Sequence, residues 1–469
     1  MFLANPCTHL CSHASPEAGP EMSAAPVLFF TARVLKQKFF HSYPPPFHAG
    51  MVVLAMWIMV IPTPSVAGET AGTPLAGQPY HTKILGKEIH IPSRDRRDVT
   101  AINLGVTWIP DGPSRLEILP LGALFVWRNW EDENRRFRGT VSGAVNDIHY
   151  QHGLTSTSPW FVAMTFENVI IPFGRSEYVE GQRIRQVDLE WNHVFAGVGI
   201  GYRTSLYPWY QDNAFEFTLT YEPGYRWFDR SSKTSGNFIL PHNTYEGRVH
   251  ARLRVDKLER NLLELLHKGW ALGGDALYGH RAHWRSWGDS AFETLDGDDE
   301  RTFMLASLYA AIAGKVPWLP TERHRLIATM YGGIGRDLDR FSTFRLPGRP
   351  TGYEWEALSR PLIPGVAFNE LFPRKYAIAN LTYRYEALFF LYPYIRGTWS
   401  AIERPRFRDD GSIRKEVDML PAVGGGLVSG APWGSQIEIN YNYNFGIFRD
   451  RQGPERGGHS VLLFWSKLL

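Results

Sequence analysis

The sequence has very little cysteine and no long apolar run. Its two cysteines, Cys7 and Cys11, lie close to the amino terminus, so the rest of the chain has no disulfide, which neither requires nor forbids an oxidising compartment. No segment after that region reaches about 18 uninterrupted apolar residues, which excludes a transmembrane helix there. The formal net charge is only +3, without a basic block, so nucleic acid is not an expected partner.

Aromatic residues, by contrast, are abundant. The chain holds 16 Trp, 21 Tyr and 28 Phe, and 44% of its 469 residues are hydrophobic. A chain of this composition is not disordered. Amphipathic rings concentrate at the two lipid–water interfaces of membrane barrels. The composition therefore favours a protein that contacts lipid.

The amino-terminal region has the pattern of a secretory signal. Met51 to Ile61 is an apolar run too short to span a bilayer as a helix, and Ser65-Val66-Ala67 is a small-residue cleavage pattern. We therefore predict a leader with a signal peptide at 1–67. The polar, Gly- and Pro-broken stretch 68–98 is predicted to be an extension or short plug, and 99–469 the main domain.

In the segment "SQIEINYNYNFGIF", an extended chain would carry its apolar residues on one face and its polar residues on the other. From Gln436 to Phe445, Ile and aromatic residues alternate with Gln, Glu and Asn. This period of two predicts a β-strand with one apolar and one wet face. In a soluble sandwich the apolar face would meet a protein core, whereas in an outer-membrane barrel it would meet lipid while the polar face lines the lumen.

Similar segments recur along the chain. "AFEFTLTYE" and "RVHARLRVD" alternate in the same way and place charges of both signs on their polar faces. Such faces suit a narrow, hydrated lumen crossed by ion pairs. At roughly 23 residues for each strand with its connection, 99–469 predicts an all-β antiparallel transmembrane barrel of about 16 strands. "RTFMLASLYAAIAG" has the composition of a helix or a strand, and we interpret it as a strand.

No convincing active site is visible in the sequence. The tightest histidine pairs, His149 with His152 and His280 with His283, would point to opposite faces of a strand, and no cysteine or suitably spaced carboxylate accompanies them. Nucleophile-elbow and phosphate-loop motifs are absent. We therefore predict no catalytic residue, no metal and no cofactor, and a protein that is not an enzyme.

The carboxyl-terminal part of the chain is more specific. "FSTFRLPGRPTGYEWEALSRPLIPG" is followed by a glycine-rich strand, an Ala-Pro-Trp-Gly turn and the alternating strand described above. This order resembles the bacterial surface-antigen superfamily, the barrel of outer-membrane assembly factors and of patatin-like autotransported proteins. The resemblance is clear over 245–469. It implies a loop that folds back into the lumen, carrying a motif whose matching residues are Leu346, Gly348, Arg349, Gly352, Tyr353, Glu354 and Glu356.

Two departures from the family pattern lead to a specific hypothesis. Thr351 stands where the family has the loop arginine, and Arg396 lies near the wall position that normally carries its acidic partner. We therefore expect the polarity of this contact to be reversed, with Arg396 donating to Glu354 or Glu356. In addition, the stretch between the predicted leader and the barrel is too short for a POTRA domain.

The resemblance implies a role in protein or lipid translocation or insertion, or in maintenance of the Gram-negative envelope. A passive pore or structural barrel is the first alternative. An outer-membrane lipid-modifying enzyme and a secreted soluble β-sandwich are further alternatives. The expected partners are outer-membrane lipids and client proteins or a separate periplasmic module, and we expect a monomer.

Overall fold

The computed structural model is built almost entirely of β-strands. It describes residues 73–84, 86–96, 98–110, 116–118, 123–129, 135–142, 144–206, 213–288, 300–346, 358–359, 361, 363–366, 370–407, 413–432, 434–450 and 454–468, and the predicted leader lies outside them. Its strands are β1 Tyr80–Ile84, β2 Lys87–Ile91, β3 Asp98–Trp108, β4 Leu116–Ile118, β5 Ala123–Asn129, β6 Arg135–Val141, β7 Val145–Gly153, β8 Trp160–Val169, β9 Arg175–Val179, β10 Gln182–Ser205, β11 Ala214–Arg230, β12 Thr244–Arg260, β13 Leu266–Arg281, β14 Thr302–Lys315, β15 His324–Arg336, β16 Lys375–Tyr385, β17 Leu391–Phe407, β18 Ile413–Met419, β19 Ala422–Ala431, β20 Ser435–Asp450 and β21 Pro454–Leu468.

The large sheet closes on itself. Strands β3 to β21 form one antiparallel circuit, and β21 pairs with β3 from Val461 opposite Trp108 to Leu468 opposite Ala101. Three positions in the circuit are each occupied by two strands that lie end to end and pair with the same neighbour. The pair β4 and β5 lies along β3, the pair β8 and β9 lies along β10, and the pair β18 and β19 lies along β17. The described circuit therefore has 16 strand positions, as the sequence predicts. Closure also rules out the soluble β-sandwich, which has two separate sheets.

The barrel places polar residues inside and apolar residues outside. On β11, Glu216, Thr218 and Glu222 are buried, whereas Leu219 and Tyr221 on the other face are exposed. Large exposed apolar side chains continue around the wall, as in Val198, Ile200, Val249, Leu272, Leu308, Ile312, Met330, Leu381, Leu427 and Leu463. This distribution of apolar and polar side chains is the reverse of that in a soluble protein, and it is the one that a bilayer requires.

The strand that contains "IEINYNYNF" behaves as its alternation predicts. In β20, Ile439 is 50% exposed, while Asn440, Asn442 and Asn444 are buried in the lumen. Asn442 donates to Asn440 at 2.8 Å, and Asn440 donates to Glu438 at 2.8 Å. The polar face therefore forms a ladder of hydrogen bonds inside the barrel. The ambiguous segment at 302–315 is likewise a strand, β14.

The two ends of the barrel differ in the length of their connections. At one end, called here the short-turn end, the connections include 261–265, 386–390 and 432–434; at the other, the long-loop end, they include 231–243, 282–301 and 337–374. Outer-membrane barrels have short periplasmic turns and longer extracellular loops. The long-loop end is therefore the extracellular end. Among the described residues no helix is long and apolar enough to cross a membrane.

The wall is taller on one side than on the other. Strands β10, β11 and β12 have 24, 17 and 17 residues, and with β13 they form what we call the tall side. Beyond the β21–β3 seam, β3 and β7 have 11 and 9 residues, and β4 and β5 share one wall position within 116–129; together with β6 they form what we call the short side. A tilted transmembrane strand needs about 9–11 residues, so β3 and β7 match a bilayer, whereas the strands of the tall side extend beyond it.

Candidate functional site in the lumen

The connection between β15 and β16 folds into the lumen. We call residues 337–374 the lumen segment. Its buried residues Leu346, Leu358, Ile363, Val366 and Leu371 join one apolar cluster with inward-facing wall residues, which include Tyr309, Ile378, Ile402, Leu420 and Ile447. Leu346 and Leu371 also exchange two backbone hydrogen bonds of 2.8 Å. The in-folded loop implied by the sequence resemblance is thus confirmed in the described part of the segment.

An ion pair on β20 anchors the carboxyl-terminal part of this segment. Arg449 donates to both oxygens of Glu370, at 2.5 and 3.2 Å, and to the carbonyl of Gly365 at 2.5 Å. Both charged side chains are only 3% exposed. Asn444 adds a bond of 2.8 Å to the carbonyl of Pro364. A two-bonded guanidinium–carboxylate pair fixes orientation as well as distance.

A second set of contacts anchors the beginning of the segment near the extracellular end. Arg281 of β13 donates to Asp339 at 2.6 Å. The next residue, Arg340, lies 3.0 Å from Glu177 of β9 and donates to the carbonyl of Val187 at 2.9 Å. Charges of both signs on the segment therefore meet opposite charges on the wall, which holds the segment on two sides of the lumen.

Asp339 makes this second anchor sensitive to pH. Burial raises the pKa of its carboxyl, whereas the charge and the hydrogen bond of Arg281 lower it. A hydrogen bond from Ser342 and another from the Phe341 amide act in the same direction, so the pKa lies below its ordinary value of 3.8. A lowered pKa contributes stability that is present above the unfolded-state value and is lost as the pH falls through the folded-state value.

We therefore expect acid to weaken this anchor. The free energy of unfolding of the wild type should exceed that of Asp339→Asn at pH 7, and the difference should shrink from about pH 5 downward. Urea midpoints of the two proteins in lipid bilayers, measured over this pH range, test the prediction. A difference that stays constant down to pH 3 would contradict it.

The residues singled out in the sequence have separate outcomes. Leu346 is buried in the lumen, 3% exposed, whereas Gly348, Arg349, Gly352, Tyr353, Glu354 and Glu356 lie outside the described residues. The Nε of Arg396 donates to Thr382 at 3.2 Å, and its guanidinium lies 5.1 Å from the ring centre of Tyr394. The contact of Arg396 with Glu354 or Glu356 stays a prediction. The anchors through Arg449 and Arg281 were not anticipated.

Aromatic side chains pack together near the extracellular end. Phe341 of the lumen segment lies at the centre of this group, 4.7 Å from Phe228 and 4.8 Å from Trp287 between ring centres. Trp284 and Phe238 are also buried here. We call this group the aromatic cap. The motif "GHRAHWRSW" contains two of its members, but in the sequence they stand in a loop without any periodic pattern that would mark them as buried.

The wall of the tall side carries a dense network of ionic hydrogen bonds. Glu216 accepts from Arg203 at 2.8 Å and from Gln151 at 3.0 Å. His250 lies between Glu222 and Asp275, at 3.4 and 3.1 Å. The cavity among these side chains has a volume of about 20 Å³, room for about one water molecule. The network braces the wall and leaves little space for a substrate.

The histidine pair singled out in the sequence, His149 with His152, lies on β7. Among the described residues there is no group of three or more His, Cys, Asp or Glu with the geometry to hold a metal ion. His149 lies 2.8 Å from Asp147, and His152 contacts the hydroxyl of Tyr150 at 3.2 Å. Both therefore have ordinary hydrogen-bond partners.

The stretch before the barrel lies against the short-turn end. The amide of Ala76 donates a hydrogen bond to the backbone carbonyl of Arg260, and the amide of Leu262 donates one to the carbonyl of Pro74, both at 3.0 Å. Arg94 and Arg96 both pair with Glu264 in the turn between β12 and β13. Strands β1 and β2 form a separate hairpin. The described part of this stretch is thus tied to the turn between β12 and β13, and Thr73 also donates to Glu386 in the turn between β16 and β17 at 2.8 Å.

Comparisons with known proteins give the following likenesses. No protein-family model and no curated protein matches the sequence. The chain is similar to BamA from Haemophilus ducreyi lacking POTRA domains 1–3, with a TM-score of 0.47 and 10% identity over 84% of this chain and 76% of that chain. It is also similar to CdiB from Escherichia coli, with a TM-score of 0.42 and 10% identity over 83% of this chain and 67% of that chain. For CdiB from Acinetobacter baumannii the TM-score is 0.41 and the identity 10%, over 84% of this chain and 66% of that chain. These are likenesses of fold, and the chain itself is a closed antiparallel β-barrel with the apolar outer face that a bilayer requires.

Proposed function

We propose that this barrel inserts or translocates an apolar client, a protein or a lipid, at the outer membrane. The observation that carries the proposal is the lumen segment, which is held by Arg449 and Arg281 and packed into the apolar cluster of the wall. A lumen filled in this way leaves little continuous water. This disfavours the alternative of a passive diffusion pore and favours passage of the client along or through the wall of the barrel.

The seam of the barrel supports the same proposal. There β21, the last strand of the described circuit, pairs with β3, the first. Separation of these two strands would open the wall without unpairing any strand from its neighbour in the sequence. An apolar segment could then enter the bilayer from the lumen side.

Partners follow from the two ends of the barrel. Lipids contact the apolar outer face. A client protein or a separate periplasmic module would approach from the short-turn end, where the hairpin of β1 and β2 and the anchored turn at Glu264 lie. Envelope maintenance by such client handling is the broader role that we assign to the protein.

A disulfide across the seam tests whether the wall must open. Asn103 of β3 and Ser466 of β21 lie directly opposite each other, and both are buried, a position suited to a cysteine pair. The variant carries both cysteines with Cys7 and Cys11 changed to Ser. In liposomes, the reduced protein should speed the folding of a urea-unfolded small outer-membrane barrel, and oxidation should abolish this effect reversibly.

The matched control is a disulfide one strand away. Asn442 of β20 and Ser460 of β21 are also directly opposed and buried, so Asn442→Cys with Ser460→Cys introduces the same chemistry without crossing the seam. Its oxidation should leave the rate unchanged. Equal rates with and without the barrel would contradict the insertion function, and loss of activity in both oxidised variants would contradict the role of the seam.

A further inference from the structure

The outer face of the tall side has a groove near the extracellular end. We call it the lipid-face groove; its volume is about 620 Å³, within the range of about 300–1,000 Å³ that ligand sites occupy. The small residues Ala196 and Gly247, together with Pro223, form its floor, and Tyr221, Tyr225, Tyr245 and Tyr278 form its walls. A concave apolar site on a surface that contacts lipid is suited to a lipid chain.

The floor of the groove depends on a glycine. A Cβ at Gly247 would lie 2.8 Å from the hydroxyl oxygen of Tyr221, so a side chain at this position would displace that tyrosine and fill the groove. The tyrosine walls stand out from the barrel, since Tyr245 is 69% and Tyr221 is 53% exposed. Tyr225 and Tyr245 contact each other with ring centres 5.0 Å apart. The groove is therefore preformed.

Its height in the membrane follows from β12. The outward face of this strand runs from Tyr245 near the extracellular end to Lys257, whose ammonium lies 5.6 Å from the ring centre of Trp270. At about 3.4 Å per residue and a tilt of about 45°, this stretch spans roughly 29 Å, slightly more than the roughly 25 Å height of an outer-membrane apolar band. Gly247 and Tyr245 lie at its upper limit, so the groove faces the extracellular leaflet.

The rim above the groove carries basic side chains. Exposed His280 lines the groove, and exposed His283 and Arg285 follow on the loop beyond β13. This loop is fixed beside Tyr245, because the amide of Ala282 donates to the Tyr245 carbonyl at 2.9 Å and that of His283 donates to the Thr244 hydroxyl at 3.1 Å. Basic residues on a loop fixed beside an apolar groove complement a ligand that carries phosphates on an acylated headgroup.

We propose that the lipid-face groove binds an acyl chain of a phosphorylated glycolipid of the extracellular leaflet, with its phosphate against Arg285 and His283. Tyrosine rings supply apolar surface for the chain and hydroxyl groups at the level of the headgroup. The arginine supplies hydrogen bonds that match a phosphate. Such a bound lipid would hold the tall side at a fixed depth in the membrane.

The test uses lipid A as the probe and native mass spectrometry of the full barrel in phosphatidylcholine nanodiscs as the readout. Gly247→Leu fills the groove, and Tyr245→Ala removes a wall from an exposed position without touching the lumen. Each should lower the affinity for lipid A about tenfold. Ala251→Leu, two outward positions below Gly247 on the same strand, is the control and should bind as the wild type does. Heat-modifiable migration on gels confirms that each variant is folded.

Two further measurements test the phosphate. Arg285→Ala should weaken binding of lipid A but not of its dephosphorylated form, and phosphatidylethanolamine with acyl chains of the same length should compete poorly. Equal binding of lipid A by the wild type, Gly247→Leu and Tyr245→Ala would overturn the site. Competition by phosphatidylethanolamine at the same concentration as lipid A would overturn the assignment to a phosphorylated glycolipid.

Discussion

Glu370→Ala is expected to lower the free energy of unfolding by about 3–5 kcal/mol. The change removes the carboxylate that accepts two hydrogen bonds from Arg449 and leaves the guanidinium buried beside the carbonyl of Gly365. A buried charge without its counter-ion is among the costliest defects that a single substitution makes. Arg449→Ala should have a similar effect, because it leaves the Glu370 carboxylate without its partner on β20.

The double variant separates the ion pair from the individual residues. When both partners are replaced by apolar side chains of similar volume, neither charge remains uncompensated. Arg449→Met combined with Glu370→Leu should therefore be much more stable than the sum of Arg449→Met and Glu370→Leu measured singly. Urea unfolding in lipid bilayers gives the free energies, and the double-mutant cycle gives the coupling.

A matched arginine shows what an exposed pair contributes. Arg336 lies 3.3 Å from Asp337, but its side chain is 83% exposed. Arg336→Ala should therefore cost only about 0–1 kcal/mol. Hydrogen exchange should show the local consequence of the buried defect, with faster exchange at 363–371 in Glu370→Ala and unchanged exchange in Arg336→Ala. Equal losses in the two variants, or strict additivity in the cycle, would mean that this pair does not anchor the segment.

The strands of the wall could be predicted from local patterns in the sequence. Alternation with a period of two needs only neighbouring residues, so Ile439 and Asn440 could be assigned to opposite faces before their strand partners were known. The number of strand positions followed from chain length, because an average of roughly 23 residues for each strand with its connection holds over the whole barrel although single strands and loops differ widely in length. For 302–315, where the period was unclear, the strand assignment was correct.

The anchors of the lumen segment depend on information that is not local. Arg449 and Glu370 are 79 positions apart in the chain, and Arg281 and Asp339 are 58 apart. Which of them meet depends on the register of every strand between them and on the path of the segment. Arg396 was chosen from its place in a family pattern, whereas its Nε donates to Thr382, the residue directly across the strand pair.

The anchors of the lumen segment contain contacts of both polarities, since Arg340 of the segment pairs with Glu177 of the wall, and the reversed contact expected for Arg396 stays a prediction. In both the Arg449–Glu370 and the Arg281–Asp339 pairs, the wall supplies the arginine and the segment supplies the carboxylate. The aromatic cap was missed for a different reason. Its members Trp284 and Phe341 stand in connections, where burial depends on how the loops meet and not on any period of the sequence.

The second large effect concerns the lipid face of β20. Ile439 lies directly opposite Leu427 of β19 and Leu463 of β21, and all three are exposed on the outer wall. Ile439→Lys would place a charge in this apolar band, where lysine costs about 2–4 kcal/mol near the bilayer midplane and less toward an interface. The urea midpoint in liposomes should fall accordingly, with little change in the slope of the transition.

The control must lie on the lumen face of the same strand. Glu438→Lys would be expected from the sequence to cost much less, but Glu438 accepts hydrogen bonds from the Tyr394 hydroxyl at 2.7 Å and from the Asn440 amide at 2.8 Å. Reversing its charge would break both bonds and obscure the comparison. Glu438→Gln keeps an oxygen acceptor at this position and should cost about 1 kcal/mol. If Ile439→Lys proved no more costly than Glu438→Gln, the apolar face of β20 would not contact the hydrocarbon of a bilayer.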